Sequence, residues 1–348
     1  MSAGTAGIAP GAVPRALVMS DVAARAGVSH QTVSRVVNGH PNVAPSTRER
    51  VQRAIEELGY RPNSAARTLV TGSSRTLGLV SVNLAQYGPA QALVGLEAAA
   101  RDAGYALSIA VLEDVTEQAV AAAVGRLVDQ SVDVVVVHST HLATAEALDR
   151  IELSTPLVTV QGPPDGARPT VWVDQAVGAR LVVEHLLALG HRTVHHVAGP
   201  GYSLEADRRV AGWEDCLQAA GRPVPTPLAG DWLPASGYAA GVELARRRAA
   251  GEEITAVFAS NDQMALGLLG ALHDAGLSVP GDVSVVGFDD IPESAFFAPP
   301  LTTVRQDFVE LGRRGVALAL GRLDDGDEAP GPVLPTLVAR QSTGPPPA

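Results

Sequence analysis

Residues 20–58 read SDVAARAGVSHQTVSRVVNGHPNVAPSTRERVQRAIEEL, and the punctuation within them decides how the amino-terminal end folds. Ser20 offers a cap for a helix over Met19–Ala26, whose Val22, Ala23 and Ala26 fall on one face, and Gly27 ends it. After the turn Gly27-Val28-Ser29, Ser29 caps a second helix, His30–Val37, which turns Val33, Val36 and Val37 inward and His30, Gln31, Ser34 and Arg35 outward. So dense a β-branched run is a poor helix by itself and needs neighbours to pack against. Pro45 suits the first position of a third helix, Pro45–Leu58, with Val51, Ile55 and Leu58 as its apolar stripe and Gly59 as its stop. Three short helices on one apolar seam, joined by a glycine-containing turn, make the helix-turn-helix that lays its second helix in a major groove of duplex DNA. There Gln31 can offer a paired donor and acceptor to adenine and Arg35 a two-pronged donor to guanine, while His30 can reach a base edge or a phosphate.

Charge agrees with this division. Seven arginines against four carboxylates give residues 19–69 a net +3; with Arg15 counted, that leaves −15 for the rest of a chain whose total is −11. A small basic head on a large acidic body confines nucleic-acid binding to the head. The 348 residues, 46% of them hydrophobic, suffice for two or three packed units. A single cysteine, Cys216, excludes an intrachain disulfide, and no apolar run nears the roughly 20 residues of a membrane span. Residues 1–18 have neither a basic start nor a sustained apolar core, so they read as a disordered leader and not as a signal peptide, and the protein is expected in the cytoplasm, associated with the nucleoid.

From Thr76 the pattern changes to short apolar runs alternating with amphipathic stretches. TLGLVSV, ALSIAV, DVVVVH, PLVTVQ, TVHHVAG, ITAVFAS and DVSVVGFD read as buried strands; 89–105, 117–130, 175–190, 205–220, 237–250 and 262–276 read as helices. Such alternation means an α/β body with two parallel sheets, whose ligands sit beyond the carboxyl ends of strands. Asn261 and Asp289 stand at such ends and together present donors and acceptors to vicinal hydroxyls. Arg209 can fork onto two oxygens, and Trp232 offers the ring face that sugars stack on.

The stretch DVAARAGVSHQTVSRVVNGHPNVAPSTRERVQRAIEELGYRPNSAAR resembles the DNA-binding head of the lactose and galactose repressor family, position after position. HLLALGH, AGP followed by RRVAGW, GDW, SNDQMALG, GDVSVVGFDD and PPLTTVRQDF extend the resemblance to about residue 343. It implies a helix-turn-helix domain over 19–62, a hinge and linker over 63–75, an effector-binding domain of two subdomains over 76–343 with the periplasmic-binding-protein fold, and a tail over 344–348. It implies operator contacts from Ser29, His30, Gln31, Thr32, Ser34, Arg35 and Asn38. In the hinge it implies Asn63, Ala66 and Leu69, with Leu69 as an apolar wedge in the minor groove. For the sugar it implies Arg209, Trp232, Asn261, Gln263, Asp289, Gln306 and Phe308, with Pro89 and Ser203 at the pocket wall.

The departures bear on specificity. Gln161 stands where a relative has a pocket aspartate, Glu205 where it has a serine, and Val82 and Gln86 replace a serine and a leucine near the entrance. His30 replaces a tyrosine in the reading helix. The chain lacks the leucine-heptad tail of tetrameric relatives, so a homodimer is expected. The function expected is repression of transcription at double-stranded operator DNA, relieved by a galactoside-like sugar, with no cofactor, metal or membrane partner; a different sugar or a corepressor is the alternative. A sugar-binding transport protein would share the body but not the head. His185, His191, His195 and His196 invite an enzyme or metal reading, yet neighbours in a strand face opposite ways and no cysteine or carboxylate pair completes a site.

Overall fold

The computed structural model describes residues 17–37, 40–60, 68, 72–323 and 331–347, and divides into two compact units, 1–74 and 75–348. In the first, α1 (Met19–Ala26), α2 (His30–Val37) and α3 (Pro45–Leu58) bury Val22, Val33 and Val51 completely against one another, with Ala54 and Tyr60 beside them. The valine-rich α2 therefore has the packing its composition requires. Gly27 and Gly59 both sit at φ 64°, and Val28 and Tyr60 reach back to Ala23 O and Ile55 O, closing α1 and α3 in the left-handed turn only glycine adopts freely. The start of α1 differs from expectation. Its cap lies one residue before the helix, where Asp21 Oδ2 accepts from Val18 N at 2.9 Å, and Ser20 is an exposed first-turn residue. An acidic group three residues in does the work expected of the serine.

The second unit has two lobes. The first runs β1 (Thr76–Val82), α4 (Tyr87–Asp102), β2 (Ala106–Leu112), α5 (Glu117–Asp129), β3 (Val134–His138), α6 (Leu142–Asp149), β4 (Leu157–Val160) and β5 (Thr170–Val171). Its sheet is parallel, ordered β2-β1-β3-β4-β5. Strands with helices on both faces need apolar residues at every position. Accordingly Leu77, Leu79, Val134 and Val136 enter the core on one face, while Val80, Val82, Val135 and Val137 meet α5 and α6 on the other.

The second lobe runs α7 (Gln175–Ala188), β6 (His195–Ala198), α8 (Leu204–Ala219), β7 (Leu228–Ala229), α9 (Pro234–Ala249), β8 (Ala256–Ala259), α10 (Asp262–Asp274), β9 (Ser284–Val286), a 3-10 turn (Pro292–Phe296) and β10 (Thr303–Arg305). Its parallel sheet is ordered β7-β6-β8-β9. The chain then returns: α11 (Phe308–Leu323) packs Phe308, Leu311, Val316 and Ala319 into the first-lobe core, and β11 (Thr336–Val338) goes back to pair antiparallel with β10. The chain thus crosses between lobes three times, after Val173, at Gln306 and after Val333, and the bridges Val173–Val333 and Asp289–Arg305 bind the crossings together.

Candidate functional site

On α2 the side chains sort as a reading helix requires. Val33 and Val36 are buried, while His30, Gln31 and Arg35 are exposed and Thr32 and Ser34 half-buried. Ser29 and Thr32 also hold the turn: Ser29 Oγ accepts from Thr32 N at 3.2 Å and lies 2.9 Å from Thr32 Oγ1. Gln31 and Arg35, four residues apart, share one side of the helix, and both are exposed. Asn38, Asn63, Ala66 and Leu69 lie outside the described residues.

In the body, the carboxyl ends of β8 and β9 open onto a cleft lined by Gln86, Tyr87, Gly88 and Pro89 from the first lobe, Glu205 and Arg209 from α8, and Trp232, Asn261, Gln263, Asp289 and Gln306. Arg209 is only 2% exposed, so every part of its guanidinium must be matched. Nε donates to Gln175 Oε1 at 2.9 Å, Nη1 donates to Ser260 O, and Nη2 lies 3.8 Å from Asp289 Oδ1. The guanidinium carbon stands 3.8 Å from the Phe288 ring centre and 5.4 Å from that of Trp232. Gln175 in turn donates to Gln306 Oε1 at 2.9 Å, and Gln306 to Asp289 Oδ1 at 2.7 Å. These bonds close a ring, Arg209-Gln175-Gln306-Asp289, that fixes one cation and one carboxylate toward the cleft.

Trp232 is held by backbone as much as by packing. It adopts φ 75°, and its ring lies where a side chain on Gly199 would be: a Cβ there would come within 2.3 Å of it. Asn261 caps α10 through Met264 N at 2.8 Å and donates from Nδ2 to Trp232 O at 3.1 Å, so it sets the tryptophan while facing the cavity. Burial pushes the Asp289 carboxyl up to about 6, against the pull of Arg209 and the Gln306 hydrogen bond. Burial likewise raises Glu205 to about 7, with Arg209 opposing and Asp289 reinforcing the shift.

Seven of the sugar contacts expected from sequence line this cavity: Pro89, Arg209, Trp232, Asn261, Gln263, Asp289 and Gln306. The other three stand behind it. Ser203 caps α8 through Ala206 N, Gln161 spans the lobes by donating from Nε2 to Glu205 Oε1 at 3.0 Å, and Phe308 sits in the first-lobe core, edge-on to Tyr87 and facing an adjoining groove. Gln175 was missed. It opens α7 as an ordinary amphipathic position, and only the first crossing brings it beneath Arg209. The histidines serve as buried hydrogen-bonding groups: His191 meets Thr255, Ser284 and Gly344 O, and His196 donates from Nδ1 to Phe258 O. Among the described residues no three potential ligands cluster to hold a metal, and no helix is long and apolar enough to cross a membrane.

A helix-turn-helix carried by a two-lobed, thrice-crossed binding body defines the class of ligand-responsive DNA-binding transcriptional regulators. The pattern of bacterial regulatory proteins of the lacI family matches residues 18–63, and that of the periplasmic binding protein-like domain matches 183–343. The lactose operon repressor of Escherichia coli K12 is 36% identical over 333 residues, covering 94% of this chain and 91% of that protein. The regulator CelR of Thermobifida fusca is 37% identical, covering 87% of this chain and 90% of its own. The crystal structure of the lac repressor dimer bound to operator and the anti-inducer ONPF superposes with a TM-score of 0.85 at 33% identity, over 95% of this chain and all of the other. This chain belongs to the lacI family; its relatives are transcriptional regulators and not enzymes.

Proposed function

We propose that the protein is a repressor that holds duplex operator DNA as a homodimer, and that a galactoside-like sugar in the cleft between the lobes releases it. The observation that carries this is the Arg209-Gln175-Gln306-Asp289 ring facing Trp232: a forked donor, a carboxylate acceptor and an apolar ring face around one cleft. That set suits a pyranose, whose hydroxyls need both donors and acceptors and whose C–H face needs an aromatic ring. The ring is anchored at two of the three crossings, so a ligand that prefers one lobe geometry shifts the population of the body toward it. Relatives include the lac repressor solved with ONPG and CelR solved as a cellobiose complex.

The dimer reading rests on α9 and α10. Leu233, Tyr238, Val242 and Leu266 are 54%, 41%, 50% and 45% exposed there, an apolar surface that a second copy of the chain would cover. Gel-shift titration of the purified dimer on its own promoter, with a panel of sugars, tests the assignment. Weakening of the complex by a galactoside is the expected result; a sugar that tightens it would make the ligand a corepressor, and no effect from any sugar would overturn the inducer role.

A further inference from the structure

Glu205 is a second carboxylate in the cleft, sharing with Asp289 the one cation that lines it, Arg209. It lies one helical turn before Arg209 on α8, but the guanidinium is committed elsewhere, to Gln175, Ser260 O and Asp289. Among the described residues its carboxylate accepts one side-chain hydrogen bond, from Gln161 Nε2 at 3.0 Å, and forms no ion pair. Gln161 Oε1 accepts from Val173 N at 2.8 Å, which fixes the amide with its Nε2 toward Glu205. An ionised carboxylate accepts up to about four hydrogen bonds, and Glu205, half-buried at the cleft wall, turns acceptor capacity toward the cleft. The formal charges lining the cavity are Arg209, Asp289 and Glu205, and with Arg209 balanced by Asp289 the remainder is one negative charge at the α8 wall. Arg208, the next cation along α8, pairs with Asp165 at 3.9 Å.

We propose that Glu205 sets the charge of the ligand: the cleft takes a sugar carrying a cationic amino substituent in preference to its neutral parent, and disfavours the corresponding uronic acid. This rests on the reading of the cleft as a sugar site and adds the substituent the sugar must carry. An ammonium group supplies the donors Glu205 lacks and cancels the unmatched charge, whereas a hydroxyl supplies one donor and no charge. A uronate places a third anion beside two carboxylates that already share the one cation lining the cleft. Burial raises the Glu205 carboxyl while Arg209 opposes the shift, and an ammonium beside it would favour the ionised form further.

The test uses the full chain and methyl glycosides of galactose and glucose, each as the neutral sugar, the 2-amino and 6-amino deoxy forms, and the uronic acid. Affinities are read by calorimetry at pH 7 for the wild type and for Glu205→Gln, which keeps an acceptor for Gln161. The expected order is amino above neutral above uronic, with an amino form about tenfold tighter than its parent in the wild type and that advantage lost in Glu205→Gln. Neutral parents binding as well as every amino form in the wild type would overturn the proposal and leave the sugar reading standing, and this comparison needs no variant. An amino preference that survives Glu205→Gln would overturn the role of Glu205. Failure of every sugar to bind a protein that still holds its promoter DNA would overturn the sugar reading itself, and the proposal with it.

Discussion

Gln306 donates to Asp289 Oδ1 at 2.7 Å, and this one bond ties the middle crossing between the lobes to the carboxylate that faces the ligand. Its other amide atom accepts from Gln175, which follows the first crossing, so ligand contact and hinge geometry share a hydrogen-bonded ring. A sugar that rearranges Asp289 is felt at both crossings without any longer path.

Replacing Asp289 by Asn keeps the size of the side chain and tolerates the φ of 109° found there, while removing the charge. The variant is expected to hold operator DNA as the wild type does and to lose effector affinity by about 1.5–3 kcal/mol, roughly ten- to a hundredfold. Calorimetry with the inducing sugar and anisotropy on the promoter fragment separate the two; loss of both would make Asp289 a structural residue only.

Arg35→Ala leaves the head folded, since Arg35 is exposed and the seam of Val22, Val33 and Val51 is untouched. Specific operator binding should weaken by about 1–3 kcal/mol with relaxed preference at one guanine position. Equal losses on specific and unrelated DNA would show that the arginine meets phosphate and not a base.

Glu205 and Asp289 titrate in the fold at about 7 and about 6, above their ordinary 4.5 and 3.8. The native state therefore holds protons that the unfolded chain releases; their favourable contribution is complete below the ordinary values and is lost as pH rises through the folded ones. His138 and His196, lowered by burial to about 4, act in the opposite sense, so the total pH curve mixes the two. The comparison with Glu205→Gln isolates one group. Its advantage in Tm over the wild type should grow from pH 5 to pH 8, and an advantage independent of pH would contradict the assignment.

Gly267→Ala should lower the Tm of the body. A Cβ there would come within 1.8 Å of Pro234 O, where α10 lies against the start of α9, and backbone cannot yield as a flexible side chain does. Overpacking of this kind costs about 1–3 kcal/mol or more, and an unchanged melting curve would show that the two helices separate easily.

Most strands were legible because burial on two faces favours apolar residues, as in the valine run that opens Val134–His138; β2, read as buried, is an edge strand in which only Ala110 and Leu112 are buried. The short β7, β10 and β11 carry two or three residues each and give no period to read. The helix over Phe308–Leu323 was also missed, although it completes the first-lobe core; it lies against α4 where Gly95 and Gly312 let backbones touch, a fact of tertiary placement. In the cleft, residue types announced Arg209, Trp232 and Asp289. Gln175 was not announced, since it looks like an ordinary helix position until the first crossing brings it beneath Arg209, whereas Glu205 stood out only through the resemblance, as a departure from a relative's serine.

The central claim, that ligand in the cleft controls the head, is tested most directly by fluorescence anisotropy of the full-length protein on its own promoter fragment, with inducing sugar titrated into wild type and Asp289→Asn side by side. The wild-type complex should dissociate as sugar is added while the variant complex stays bound through the same range. Dissociation of both at the same sugar concentration would contradict the account.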